Sequence, residues 1–342
     1  MTKLHRRLVF CVGSLLVWVY GGPRVAAQAS HTAHEVSFSN DSVVLSGTFM
    51  IPSTEGSHPA VVFLHGSGPS TREGARPYAE EFASLGIASL FFDKRGCGKS
   101  GGSWITSSLD DLSNDALAAM EFLKKQEGID SARIGLWGVS QAGWVATVAA
   151  AKSRDVAFLI LISGGGVSPY ESELFSYKQE FEKAGLSESD DSTAYRILDI
   201  YFNYLRNGEG RKHLVAALDT IRTGNLKALA EQLSRITPSE ANRHNWSWVG
   251  TYDPESDIAK ITCPILLMFG DRDRQQPTDL AVKRWKEGLK KAGNNDVTIM
   301  LFPGAGHGIR MGDHKDHIRA PFADGYKEAQ LGWLWRHVVQ GQ

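Results

Sequence analysis

Short apolar runs recur along most of the chain, and longer amphipathic stretches separate them. The runs are almost wholly apolar, which is typical of parallel strands covered on both faces. Predicted strands occupy residues 60–64, 87–92, 133–137, 156–162, 262–270 and 297–302, and predicted helices occupy residues 78–85, 109–127, 144–151, 279–292 and 323–339. This alternation predicts a parallel sheet with right-handed crossovers, so the ends of these strands should meet at one edge.

The first part of the sheet has a different pattern. Residues 35–38 and 43–51 alternate apolar and polar positions on either side of the Asn40-Asp41-Ser42 turn. Such alternation predicts an antiparallel hairpin. The fold class is therefore α/β, with a mostly parallel sheet and helices on both of its faces.

The alternation stops between residues 169 and 259, where no apolar strand occurs. Amphipathic helices are predicted instead at residues 170–184, 192–207 and 211–233, and the last can divide after Gly224. Both ends of this segment should emerge from the edge that binds ligands in parallel sheets. We interpret it as a helical lid inserted before the strand at 262–270. A separate helical domain and a structural buttress are the alternatives.

The N-terminus has the pattern of a secretory signal peptide. Lys3, Arg6 and Arg7 precede an apolar run at residues 8–20, and Ala27-Gln28-Ala29 follows. This predicts cleavage after Ala29 and export to the periplasm or the medium, with no stable membrane anchor afterwards. An uncleaved anchor is the alternative, although the run is short for a bilayer span. The predicted divisions are a signal peptide at 1–29, a core in two parts at 30–168 and 260–342, and the lid at 169–259.

Composition narrows the classes of function. The 342 residues carry a formal net charge of −1, without a basic excess for nucleic acid or a charged tail. Removal of the signal leaves two thiols, Cys97 and Cys263. Cys97 should lie beyond the C-terminal ends of the strands and Cys263 at the opposite edge, so both are predicted to be unpaired.

A serine, an acid and a histidine each follow the end of a predicted strand. Ser140 lies in Gly138-Val139-Ser140-Gln141-Ala142-Gly143, a tight turn from a strand into a helix with Ala142 where a second glycine is usual. His307 lies in a glycine-rich loop, and Asp271 and Asp273 are two candidates for the acid. Nucleophilic catalysis needs such a trio, because a base must take the serine proton and an acid must orient that base. An ordinary strand-turn-helix is the alternative for the Ser140 turn.

Five segments in this order resemble motifs of the α/β-hydrolase-fold serine hydrolases. The similarity covers essentially the whole chain from Glu35 and is greatest to bacterial esterases of the dienelactone-hydrolase-like and serine-aminopeptidase-like groups. The segments are HGSGP at 65–69, DKRGCGKS at 93–100, GVSQAG at 138–143, GDRDRQQP at 270–277 and PGAGHG at 303–308. Each is weak alone, and their common order makes chance similarity very improbable.

The resemblance assigns a role to each motif. It implies that Ser140 is the nucleophile, His307 the general base and Asp273, in preference to Asp271, the acid. The backbone amides of Ser67 and Gln141 should form the oxyanion hole.

Two further expectations concern the loops around the site. We expect His65 to shape its loop through a hydrogen bond, and Arg95 to pair with a carboxylate.

Other residues have two interpretations. Tyr170 and Trp246 in the lid are expected to contact substrate, and packing against the sheet is the alternative for Trp246. Residues 313–317 alternate Asp and His as metal ligands can, although a solvated loop is the simpler interpretation. Serine chemistry requires no metal, and we expect no cofactor.

The function expected from these observations is that of a secreted serine hydrolase that cleaves carboxylic esters through an acyl-enzyme. The substrate would be a small ester or a short peptide. Peptidase or aminopeptidase activity and thioester hydrolysis use the same groups and stay open. An aminopeptidase would bind the substrate amine through acidic lid residues, for which Glu171, Glu173, Glu180 and Glu182 are candidates. A non-catalytic binding protein of the same fold is the alternative from another class.

Overall fold

The computed structural model describes residues 30–312 and 320–341, and one eight-stranded sheet forms its centre. The strands are β1 (His31–Asn40), β2 (Val43–Pro52), β3 (His58–Phe63), β4 (Ala88–Phe92), β5 (Ile129–Val139), β6 (Leu159–Ile162), β7 (Ile265–Gly270) and β8 (Val297–Phe302). Their order is β1-β2-β4-β3-β5-β6-β7-β8. β2 pairs antiparallel with β1 and β4, and the other neighbouring pairs are parallel. The predicted hairpin and mostly parallel sheet are confirmed.

Helices cover both faces of this sheet, as predicted. On one face lie α1 (Arg76–Ala83) and α12 (Tyr326–Leu334), and on the other lie α2 (Leu109–Lys124), α3 (Ala142–Lys152) and α11 (Thr278–Lys291). Alternate residues of each buried strand point to opposite faces, so Val61 and Phe63 enter one core while Ala60 and Val62 enter the other. The apolar runs in the sequence result from this burial on both sides.

Some element boundaries differ from the prediction. β5 begins at Ile129 because His58, at the start of β3, pairs with Ile129 before the register shifts. α12 begins at Tyr326, since Gly325 adopts φ +76°, outside the helical region. The chain then continues from Trp335 to Val339 as a π-helix.

The segment between β6 and β7 is helical. It contains α4 (Pro169–Ala184), α5 (Glu188–Asn207), α6 (Arg211–Thr220), α7 (Lys227–Ile236), α8 (Arg243–Trp246), α9 (Trp248–Thr251) and α10 (Glu255–Ile258). Its larger helices enclose an apolar cluster that includes Leu198, Phe202 and Leu229. The stretch at 211–233 is divided, because Thr220 ends α6 and Gly224 takes φ +80° before α7.

Local capping explains where α4 starts and stops. The Ser168 hydroxyl accepts a hydrogen bond from the Glu171 amide at 3.2 Å, and the Glu171 carboxylate accepts one from the Ser168 amide at 3.0 Å. This reciprocal pair satisfies two amides that the first helical turn leaves unpaired. At the other end Gly185 adopts φ +62°, the left-handed conformation that commonly ends helices.

Buried ion pairs hold the loop that follows β4. The Asp93 carboxylate accepts a bond from the Arg72 guanidinium at 3.0 Å and another from the Lys99 amide at 2.9 Å. A Cβ on Gly98 would lie 2.3 Å from that carboxylate, so glycine is required there. Arg95 binds both carboxylate oxygens of Asp115, at 2.7 and 2.6 Å, which confirms its predicted pairing.

Two further expectations concern thiols and membranes. Cys97 and Cys263 are both free, as predicted. Within residues 30–312 and 320–341, no helix has the length and apolarity needed to cross a bilayer. The predicted signal peptide at 1–29 lies outside the described residues.

We expect Arg95→Met to lower the free energy of unfolding by about 3–5 kcal/mol, because it leaves the Asp115 charge buried without its partner. The side chains of this pair are only 7% and 3% exposed. Arg222→Met is the matched control: it breaks a pair with Asp219 in which both side chains are more than half exposed, and should cost less than about 1 kcal/mol. Urea unfolding measures both, and similar losses would contradict a structural role for the Arg95 pair.

Candidate active site

Ser140 occupies a strained turn between β5 and α3. Its φ is +61°, a value that non-glycine residues adopt rarely and at a cost of about 1–3 kcal/mol. Two backbone bonds hold this conformation: the Ser140 amide donates to the Ile162 carbonyl at 2.9 Å, and the Ser140 carbonyl accepts from the Gly143 amide at 2.8 Å. The turn therefore presents Ser140 at the end of the sheet.

Only small residues fit around this turn, as the distances to neighbouring atoms show. A Cβ on Gly138 would lie 2.2 Å from the Ala142 Cβ, and a Cβ on Gly143 would lie 2.5 Å from the Gly164 backbone. Ala142 is completely buried, so a larger side chain would have no space there. The G-x-S-x-A-G pattern thus reflects close packing of α3 against β5 and the loop after β6.

His307 and Asp273 lie in direct contact. The His307 Nδ1 is 2.8 Å from Asp273 Oδ2, and the side chain of Asp273 has no exposed surface. The other carboxylate oxygen, Oδ1, accepts bonds from the Gln275 and Gln276 amides at 2.8 and 3.0 Å. Three hydrogen-bond donors therefore replace the water that the Asp273 carboxylate loses on burial.

The structure separates the two acid candidates. Asp271 is exposed, and its Oδ1 accepts a bond from the Gly304 amide at 2.7 Å, so it braces the loop after β8. Asp273, in contrast, faces His307. The geometry thus brings His307 together with the acid that the resemblance favours.

Ser140 and His307 line one cavity of about 500 Å³. Ser67 and Trp144 join them from the core. The opposite wall comes from the helical segment between β6 and β7, with Glu173, Ser176, Glu180 and Gln232 among its residues. The cavity therefore lies between the sheet edge and the inserted helices.

The two expected oxyanion-hole residues lie beside this cavity. Gln141 follows Ser140 at the start of α3, and Ser67 lies in the loop after β3. That loop passes close to the Ser140 turn, since a Cβ on Gly66 would lie 3.5 Å from the Val139 carbonyl oxygen. The Gln141 and Ser67 amides donate to no other group in the described part of the chain.

Lys94 was not anticipated from the sequence, yet it contacts both of these loops. Its Nζ donates to the carbonyl oxygens of Gly66 and Gly68 at 2.9 and 3.1 Å, and to the Gln141 side-chain oxygen at 2.9 Å. The residue is only 3% exposed. A charged residue between Asp93 and Arg95 offers no sequence signal that distinguishes it from a solvated loop lysine.

His65 has the loop-shaping contact that we expected. Its Nε2 lies 2.6 Å from the Phe92 carbonyl oxygen, and its ring packs edge-on against the Phe92 ring. Burial lowers the pKa of His65 to about 4, so the imidazole is neutral near pH 7. This side chain therefore connects the ends of β3 and β4.

Tyr170 and Trp246, the two aromatic residues expected to contact substrate, lie away from the Ser140 cavity. Tyr170 packs against the Phe202 ring at 4.8 Å and beneath the Arg206 guanidinium at 4.2 Å. The Trp246 indole donates to the Ile105 carbonyl and packs against Trp104. The lining of the Ser140 cavity includes neither residue.

The four glutamates considered as ligands of a substrate amine lie in different surroundings. Glu171 binds the Arg284 guanidinium through two bonds of 2.6 and 2.7 Å, and Glu182 is exposed. Glu173 and Glu180, seven residues apart on α4, line the cavity. Burial, and secondly the charge of Glu180, raise the pKa of Glu173 to about 7. Two carboxylates, those of Glu173 and Glu180, therefore belong to one wall of the cavity.

No group of three or more His, Cys, Asp or Glu side chains suited to a metal ion occurs in residues 30–312 and 320–341. The Asp and His residues at 313–317 lie outside the described residues, so the possible metal site there stays a hypothesis from the sequence.

Two curated relatives carry names that bear on chemistry. Esterase EstD of Thermotoga maritima is 25% identical over 284 residues, which cover 79% of this chain and 59% of that protein. Thiohydrolase aneE of Aspergillus aculeatus is 36% identical over 135 residues, which cover 38% of this chain and 41% of that protein.

A solved structure and a family model extend the comparison. The Pyrococcus furiosus esterase Pf2001 shares the fold with a TM-score of 0.57 and 19% identity, over 89% of this chain and 92% of that one. The model of the alpha/beta hydrolase family matches residues 61–317 of the 342. The chain therefore belongs to the alpha/beta hydrolase family.

Proposed function

We propose that this protein is an exported serine hydrolase that cleaves carboxylic esters through a Ser140-His307-Asp273 triad. One observation carries the proposal: His307 contacts the fully buried Asp273 carboxylate and lines the same cavity as Ser140, on its strained turn. A buried acid that binds one ring nitrogen leaves the other available as a base.

The chemistry follows from these contacts. The His307 Nδ1–H donates to Asp273, so Nε2 carries the lone pair that takes the Ser140 proton. The Ser140 Oγ attacks the ester carbonyl, and the protonated His307 then gives its proton to the leaving alcohol. Water attacks the resulting acyl-Ser140 with His307 again as the base, which releases the acid.

The oxyanion of each tetrahedral intermediate needs donors outside the triad. We assign the Gln141 and Ser67 amides to this role, and their lack of other partners in the described chain supports it. Such amides stabilise the developing charge without reorganisation.

The segment at 169–259 acts in this proposal as a lid that provides substrate contacts but no chemistry. A cavity of about 500 Å³ suits a small molecule or a short peptide. Glu173, Ser176 and Glu180 make the lid side of the cavity polar, so the proposal favours polar ester substrates over long acyl chains.

Replacement of the triad residues tests the mechanism. We expect Ser140→Ala and His307→Ala each to remove nearly all ester turnover, and the double variant to lose little more, because the groups act as one unit. Asp273→Asn should cost about 10⁴-fold in kcat by favouring the wrong tautomer of His307, with Asp271→Asn as the nearly active matched control. Fluorophosphonate labelling and ester kinetics measure these effects.

Two outcomes would contradict this assignment. Equal losses in the two Asp→Asn variants would remove Asp273 from its role. Absence of labelling on the folded wild-type protein would favour a non-catalytic binding protein of the same fold.

A second candidate function is hydrolysis of amides or esters whose acyl part carries an amine, as in an aminopeptidase. The specific observation is that two carboxylates, Glu173 and Glu180, line the same wall of the cavity, where burial and the charge of Glu180 raise the pKa of Glu173. A bound ammonium group would be attracted to these two acidic side chains. Thioester hydrolysis uses the same triad, and the name of the thiohydrolase relative is its support.

Glu173→Gln tests the amine candidate. We expect it to raise KM about 10- to 100-fold for an amine-bearing arylamide and to leave KM for a neutral ester unchanged, since a charge-assisted hydrogen bond contributes about 1.5–3 kcal/mol. The Glu173 carboxyl ionises as pH rises through about 7, so the wild-type KM should fall over that range for a substrate whose amine stays protonated. Glu182→Gln, on the same helix but outside the cavity lining, is the control. Unchanged arylamide kinetics in Glu173→Gln would exclude this role.

Export is tested at the N-terminus. The protein recovered from the periplasm or medium of an expressing bacterium should begin at Ser30, and protein produced without residues 1–29 should keep full esterase activity. Recovery of a chain that begins at Met1 in the membrane fraction would instead support the uncleaved anchor.

A further inference from the structure

Lys94 is a buried cation whose three donors are all used. Its Nζ donates to the Gly66 carbonyl, the Gly68 carbonyl and the Gln141 side-chain oxygen. An ammonium group has three N–H donors and no acceptor, so this set satisfies it completely. In the described part of the chain no carboxylate pairs with it, which distinguishes Lys94 from Arg72 and Arg95 in the same region.

The bond to Gly66 fixes the direction of the Ser67 amide. The Gly66 carbonyl and the Ser67 N–H belong to one peptide group, and the described chain contains no cis peptide bond. In a trans peptide the C=O and N–H point in opposite directions. The carbonyl points to Lys94, so the Ser67 N–H points away from Lys94.

The bonds to Gly68 and Gln141 complete this arrangement. The Gly68 carbonyl lies on the other side of Ser67, so the turn is held at both of its flanks. Gln141 carries the second expected oxyanion donor, and its side chain is the third acceptor of Lys94. One ammonium group therefore connects the two segments that supply the two amides.

We propose that Lys94 is a positioning residue that sets the separation and aim of the Ser67 and Gln141 amides and strengthens the Ser67 donor by polarising its peptide group. This inference rests on the proposed serine mechanism and adds a residue to it. The bond of a cation to a carbonyl oxygen draws electron density from the peptide nitrogen, which makes the N–H a better donor to an oxyanion.

The protonation state of Lys94 then matters for activity. Burial lowers the pKa of Lys94 to about 8, against a smaller opposing effect of Cys97. The neutral amine has only two donors, so one of the three acceptors is released as pH rises through about 8. Among the described residues, the titratable groups near Lys94 are Cys97 and the neutral His65, together with Asp115, which lines the same small cavity and is paired with Arg95. The carboxylate of the adjacent Asp93 is paired with Arg72.

Lys94→Met tests the proposal with a neutral ester whose leaving group does not ionise. We expect kcat to fall about 10- to 100-fold with KM within about twofold, because loss of a complete oxyanion donor costs about 10²–10³. Affinity for a trifluoromethyl ketone, which forms a tetrahedral adduct on the serine, should fall by a similar factor. Wild-type kcat should decline as pH rises through about 8, and this decline, the alkaline limb of the profile, should be absent from Lys94→Met.

Lys99→Met is the matched control, since Lys99 lies in the same loop with its side chain 73% exposed, and it should keep kcat and the alkaline limb. Gln141→Leu supplies a second test that does not depend on the folding of Lys94→Met. It removes one acceptor of the ammonium, so we expect a lower kcat and an alkaline limb shifted to lower pH.

The possible outcomes distinguish a failure of the Lys94 proposal from a failure of the serine mechanism on which it rests. If wild-type protein reacts with a fluorophosphonate at Ser140 and hydrolyses esters, while Lys94→Met keeps kcat and the limb, only the role of Lys94 is overturned. An unmoved limb in Gln141→Leu would overturn it as well. If Ser140 is not labelled in the wild type, both proposals fail together.

Discussion

The close approach of backbones around Ser140 is the constraint on which the site depends. A Cβ on Gly164 would lie 2.3 Å from the Ser140 carbonyl oxygen, and one on Gly143 would overlap the same loop. The strained φ of Ser140 persists because the Ile162 carbonyl and α3 hold its amide and carbonyl. The loops after β3, β6 and β8 pack around this turn, so its shape determines where each of them can lie.

Much of the architecture follows from burial on two faces. Strands such as β3 and β7 are apolar at almost every position because helices cover both sides, and this makes them recognisable without an alignment. The order of the candidate residues could likewise be predicted, since Ser140, Asp273 and His307 each lie in the loop or turn that follows a strand end. Element boundaries were less predictable where a ladder pairing, such as that of His58 with Ile129, extends a strand beyond its apolar run.

The contacts of single side chains were not predictable, because they depend on partners distant in sequence. Trp246 binds the carbonyl of Ile105, 141 positions away, and an aromatic in an amphipathic helix gives no sign of that partner. Lys94 is separated from Gln141 by 47 positions, and its burial depends on three loops at once. Periodicity shows which face of an element is buried, but it does not identify what covers that face.

Several residues of α4 that face the cavity make none of the contacts that attach this helix to the core. Three anchoring groups lie at its N-terminal end: the Ser168 cap, the Glu171 pair with Arg284, and the Ser172 hydroxyl, which donates to the Gln275 carbonyl. A fourth lies near its other end, where the Arg274 guanidinium donates to the Gln179 carbonyl. Ser172 also lines the cavity, and the lining residues Glu173, Ser176 and Glu180 follow it along the helix. Exchange of the Glu173, Ser176 and Glu180 side chains can therefore alter the cavity wall while these attachments stay intact. This helix offers a short evolutionary route by which descendants of one ancestor diverge in the molecules that fit the cavity.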